Sequence, residues 1–170
     1  TWWKESAEWI DYIKSCQGVL QQGRGIDQVT VLTPRYRPVE WSIVRPKDKE
    51  IQKQLPRGFG YLYCSQDGLL NKGTVDNGTL RFELGEGCRM VVLPDTDRAS
   101  PELLKKFRQL LNAGVSVYAT HRPKRAIGMQ DSQERNAQVS RVADELWGDV
   151  DGKKVTSRRV GKGLLIQGVP

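Results

Sequence analysis

At 170 residues and 38% hydrophobic, the chain is long enough to bury the core of one domain and holds no apolar run able to span a membrane. Three widely spaced cysteines and a single histidine, His121, argue against a clustered zinc site, so no metal and no cofactor is expected. The net charge of +7 is dispersed and interleaved with acidic residues, which favours solvated surface over a nucleic-acid-binding face.

The first residues, Thr1 to Gln22, read as a helix. Trp2, Trp3, Trp9, Ile10, Ile13, Cys16 and Leu20 recur at helical spacing, with charged residues between them. Three tryptophans are much apolar area for a terminal helix. They either pack on the domain that follows or face a larger neighbour. The chain opens at Thr1 without a signal-peptide pattern or an initiator methionine, so a piece of a longer protein is expected, whose compartment is not readable here. Gly23-Arg24-Gly25 is a stop and hinge.

Gln28 to Leu32 is the first expected strand. A long Pro-rich connection, Thr33 to Pro56, follows, with a brief strand or turn at Trp41-Ser42-Ile43-Val44. Phe59 to Cys64 is the second strand, and Ser65 can cap a short helix from Gln66 to Asn71. Gly73 to Leu84 alternates like a hairpin about Asn77-Gly78.

Met90 to Leu93 is a short apolar run, read as a strand buried on both faces. Ser100-Pro101-Glu102 then starts a helix, with an N-cap oxygen, a proline at the first position and an acid at the positive end of the dipole. Leu103, Leu104, Phe107, Leu110 and Leu111 share one face, and Gly114 ends the helix. Val115 to Ala119 is the next strand, which makes a right-handed βαβ unit with two parallel strands.

His121 to Gln130 reads as a basic, turn-rich loop. Gln133 to Trp147 is a helix with Ala137, Val139, Val142, Ala143, Leu146 and Trp147 inward. Lys154 to Ser157 and Leu164 to Gln167 are expected as a closing strand pair through Gly161-Lys162-Gly163. The expected fold is α/β: an open, mostly parallel sheet of flavodoxin or Rossmann type, with helices on both faces and β-hairpin insertions.

In such sheets a ligand sits beyond the carboxyl ends of the strands. The residues placed there are Thr33, Ser65, Asp67, Asp95, Asp97, His121 and Arg122. Asp95 and Asp97 have the chemistry to hold a metal or to act as acid and base, but turn formation after a strand is the favoured reading. His121-Arg122 has the chemistry to hold an anion, yet a loop histidine without an identified partner is more often plain surface. There is no GxGxxG in the right context, no phosphate-binding GxxxxGK[ST] and no nucleophile elbow. Cys64 and Cys88 lack the setting of a nucleophile. No catalytic residue is assigned.

Several segments together resemble the α-L-rhamnosidases of glycoside hydrolase family 106. TWWKESAEWIDYIKSCQGVLQQG resembles the last helix of the family's catalytic barrel, and LPRGFGYLYCSQDGLLNKGTVDNGTLRF the stretch that follows it. CRMVVLPDTDRASPELLKKFRQLLNAG, HRPKRAIGMQ, VADELWG and GKGLLI resemble later segments. Thr33 to Pro38 is more basic, and Tyr61 to Ser65 less polar, than the family pattern. The resemblance implies two parts: residues 1–25 as a barrel's terminal helix, and residues 26–170 as a three-layer accessory domain of the class I glutamine amidotransferase type, without its cysteine. It also implies a parent that removes terminal L-rhamnose from plant-type rhamnosides, is exported, and carries its paired carboxylates upstream. Expected partners are then that barrel and its neighbouring domains. An independent small-molecule or phosphosugar binder, and a basic nucleic-acid-binding domain, are the rival readings.

Overall fold

The computed structural model describes residues 3, 6–22, 28–33, 60–82, 87–93, 96–128 and 132–168. The expected turn at Trp41 to Val44 and the Pro-rich connection around it lie outside these residues.

Five parallel strands and one antiparallel edge strand form the main sheet. They are β1 (Val29–Thr33), β2 (Tyr61–Ser65), β5 (Met90–Leu93), β7 (Ser116–Ala119), β9 (Ser157–Val160) and β10 (Gly163–Gln167). Their spatial order is β2-β1-β5-β7-β10-β9, with β9 antiparallel to β10 and all other pairs parallel. The chain moves from β1 outward to β2 and then crosses back to β5. This is the flavodoxin strand order, with its switch point between β1 and β5. A hairpin of β3 (Thr74–Asp76) and β4 (Thr79–Arg81) is inserted before β5, and the short strands β6 (Arg98–Ala99) and β8 (Arg125–Ala126) pair in parallel beside the sheet.

Helix α3 (Pro101–Ala113) forms for the reasons its sequence states. Ser100 is extended, and its hydroxyl accepts the Leu103 N–H at 3.1 Å; Gly114 ends the helix at φ 103°. Leu103, Leu104, Phe107, Leu110 and Leu111 are all fully buried. They pack with Val91, Leu93, Val117, Ala119 and Leu165 of the sheet, and with Val139, Ala143, Leu146 and Trp147 of α4 (Ser132–Trp147). Leu69 of α2 (Gln66–Lys72) joins the same cluster. The hairpin is keyed to α3: a Cβ on Gly114 would stand 3.2 Å from the Cα of Gly78, and Lys106 Nζ donates to the Gly73 carbonyl at 2.8 Å. Replacing Ser100 by alanine removes a buried cap and should cost about 1 kcal/mol, read by equilibrium unfolding.

Helices α2, α3 and α4 share one face of the sheet, and Val31, Val92, Tyr118 and Ile166 lie on the other; most of the connection from β1 to β2 lies outside the described residues. Two expectations change. Ala137, expected inward, is exposed, because Val139, Ala143, Leu146 and Trp147 supply the buried stripe of α4. The edge strand begins at Ser157 and not at Lys154. The Asp151 carboxylate accepts the backbone N–H groups of Lys153, Lys154 and Val155 at 2.8, 2.8 and 3.0 Å, which folds residues 151–155 into a turn instead.

Helix α1 (Ala7–Leu20) stands apart. None of its residues is buried, and Trp9, Tyr12, Val19 and Leu20 are 65, 67, 70 and 76% exposed. Of the two arrangements the sequence left open, its aromatic residues do not pack into this domain's core.

Candidate functional site

The carboxyl edge of the sheet is built by the segments that leave β1, β2, β5 and β7. Thr33, at the end of β1, is half-buried, and its hydroxyl donates to the Cys64 carbonyl on β2 at 3.4 Å. Ser65 is the N-cap of α2 and accepts the Gly68 N–H at 3.0 Å. Asp67 follows in the first helical turn, where a negative charge complements the dipole. Thr33 and Ser65 are Cα partners at the β1 and β2 tips, and Asp67 follows two residues on.

The second group is dispersed. Asp95 lies outside the described residues. Asp97 joins two loops: its carbonyl accepts the Lys124 N–H at 2.7 Å, and its carboxylate lies 3.6 Å from the Arg125 guanidinium. Arg122 turns away from the sheet tips to the end of α4, where it pairs with Asp144 and donates to the Gly148 carbonyl at 3.3 Å. His121 is exposed on the loop between β7 and Arg122.

The thiols give no reactive centre. Burial, and then the neighbouring Cys88, push the Cys64 thiol upward, away from the thiolate form, and Cys88 itself is fully buried. Cys16 is half-exposed on α1. In the native chain Cys16 should react first with a thiol-specific chromogenic disulfide, with Cys64 and Cys88 slow until the domain opens; equal rates for all three would contradict this packing. Among the described residues no group of three His, Cys, Asp or Glu side chains is placed to hold a metal ion.

One polar hollow at this edge was not foreseen. It has a volume of about 260 Å³ and is lined by Arg98, Arg125, Ala126, Gly128, Ser132 and Asn136. Strands β6 and β8 bring the two arginines into register, and the Ala126 N–H donates to Asn136 Oδ1 at 2.7 Å, tying β8 to the first turns of α4. A usable signal was present: each arginine follows a core strand, β5 or β7, by about the same short interval. Elsewhere Arg108 pairs with Glu145 and Arg135 with Glu102.

Strand order and helix placement define an open α/β domain of the flavodoxin type, carrying loops and one basic hollow at its carboxyl edge. The chain belongs to the α-L-rhamnosidase family, glycoside hydrolase family 106, whose family model matches residues 1–170. It is 29% identical over 148 residues to a protein of Formosa agariphila named "Putative beta-glucuronidase", covering 87% of this chain and 12% of that protein. It shares its fold with part of the solved rhamnosidase from Novosphingobium sp. PP1Y, at a TM-score of 0.70 and 21% identity, over 98% of this chain and 15% of the other. The chain thus spans only about an eighth of the curated relative's length.

Proposed function

We propose that this chain is a non-catalytic accessory domain of a longer glycoside hydrolase that acts on terminal α-L-rhamnosides, and that α1 seats it on a preceding catalytic barrel. Residues 1–25 then belong structurally to that barrel, and residues 26–170 to the accessory domain. The observation that carries this reading is α1 itself: a helix with Trp9, Tyr12, Val19 and Leu20 all at least 65% exposed has no physical reason to hold that composition without a neighbour.

The carboxylates support the non-catalytic part. Glycoside hydrolysis uses a facing pair, one of which is held protonated by a raised pKa. Among the described residues, the two carboxylates with a clear shift move the other way. Hydrogen bonds from its own helix-start N–H and from Ser100, with Arg135 and Lys105 nearby, hold Glu102 below the usual range. The N–H groups of Lys153, Val155 and Lys154 do the same for Asp151. Both named relatives are glycosidases, which supports assigning the parent to that class.

The test is to assay the full-length parent and the 170-residue chain separately on an aryl α-L-rhamnoside. Release of the aryl group by the parent and none by the chain is expected. Turnover by the chain alone would end the non-catalytic reading, and an inactive, folded parent would end the rhamnosidase one.

A further inference from the structure

The hollow at the carboxyl edge has an arrangement that folding alone does not favour. Arg98 and Arg125 are Cα partners in the β6–β8 pair, and the residues after them, Ala99 and Ala126, are both buried. Alternation along the strands therefore sends both guanidinium groups outward on the same side. Like charges directly across a strand pair repel, so this placement weakens a two-residue ladder that has little stability to spare. Asp97 offsets only part of it: its carboxylate is 3.6 Å from Arg125, and among the described residues no carboxylate pairs with Arg98. The hollow between these groups is open and small, about 260 Å³, and Asn136 and Ser132 also line it. Asn136 has its carbonyl oxygen occupied by the Ala126 N–H, which leaves the amide N–H₂ as its remaining polar group, and Ser132 brings a hydroxyl.

We propose that this hollow binds one small oxyanion group carried by a sugar-sized ligand, with Arg98 and Arg125 as its two charged contacts. Among the described residues, the two guanidinium groups and the Asp97 carboxylate leave a single net positive charge, which fits one carboxylate of a sugar acid or one phosphate of a phosphosugar. The anion would replace the cross-strand repulsion with two charge-assisted contacts. The volume suits one sugar unit rather than an oligosaccharide. This inference is independent of the rhamnosidase reading, since it concerns binding by the 170-residue chain and needs no turnover.

The experiment is a calorimetric titration of the chain with D-glucuronate, glucose 6-phosphate and D-glucose, repeated with Arg98→Gln, Arg125→Gln and Asp97→Asn. Either anion is expected to bind at least tenfold more tightly than glucose, and the tighter of the two identifies the source of the oxyanion. Each arginine variant should lose about tenfold or more in affinity, while Asp97→Asn should gain severalfold because it frees Arg125. Thermal unfolding keeps this readable as a binding effect: without ligand, Arg98→Gln should melt no lower than the parent chain, because it removes a repulsion. Failure of both anions to outbind glucose, or undiminished binding in both arginine variants, would overturn the site.

Discussion

Replacing Phe107 by alanine should destabilise the chain by about 3–5 kcal/mol, measured by chemical denaturation. Phe107 is fully buried in the middle of α3 and belongs to one continuous cluster that draws residues from the sheet, α2, α3 and α4. Deleting its ring removes the transfer free energy and also leaves a cavity that elements fixed by a parallel ladder cannot close. Against a total stability of about 5–15 kcal/mol for a domain, that loss is a large share. A loss below about 1 kcal/mol would mean that α3 does not pack on the sheet as described.

The second large effect depends on context. In the isolated chain Trp9→Ala should change stability by no more than about 0.5 kcal/mol, since the side chain is 65% exposed and supports no core. If α1 seats the domain as proposed, the same substitution in the full-length parent should cost about 3–5 kcal/mol, because a large aromatic anchor would then be truncated in a closed interface. Differential unfolding of both proteins, each with and without the substitution, reads the difference. A small effect in both would remove the seating role of α1 while leaving the family assignment untouched.

The two substitutions mark different kinds of legibility. The pattern of α3 is local: Ser100, Pro101 and Glu102 open it, five apolar residues line one face, and Gly114 closes it. Each signal acts within a turn or two of its own residue, so the sequence states it directly. The same holds for Asn77-Gly78, whose positive φ values of 47° and 74° make the hairpin turn the dipeptide announces. The shift of the edge strand was less legible. Lys154 to Ser157 has strand composition, but one carboxylate, Asp151, collects three backbone N–H groups and withdraws the start of that run into a turn.

The candidate site was legible only in part. Thr33 and Ser65 lie side by side at the β1 and β2 tips, as the strand order requires, and Ser65 caps the helix that carries Asp67. Arg122, adjacent to His121 in sequence, spends its charge on Asp144, 22 residues away. Arg98 and Arg125 stand 27 residues apart; their similar interval after β5 and β7 is the one local signal, and they meet because those strands are neighbours and their exit loops pair.

By itself the sequence determined the element types, the βαβ unit, the buried stripe of α3 and the family to which the chain belongs, because these are written in short-range periodicity, capping chemistry and the order of segments. Tertiary structure decided which strands are neighbours, which face α2, α3 and α4 cover, where Arg108, Arg122 and Arg135 find their counter-charges, and that α1 turns its aromatic residues to the outside. Those outcomes depend on contacts between segments far apart in the chain. Electrostatic and packing energies follow distance in space, which spacing along a sequence does not encode.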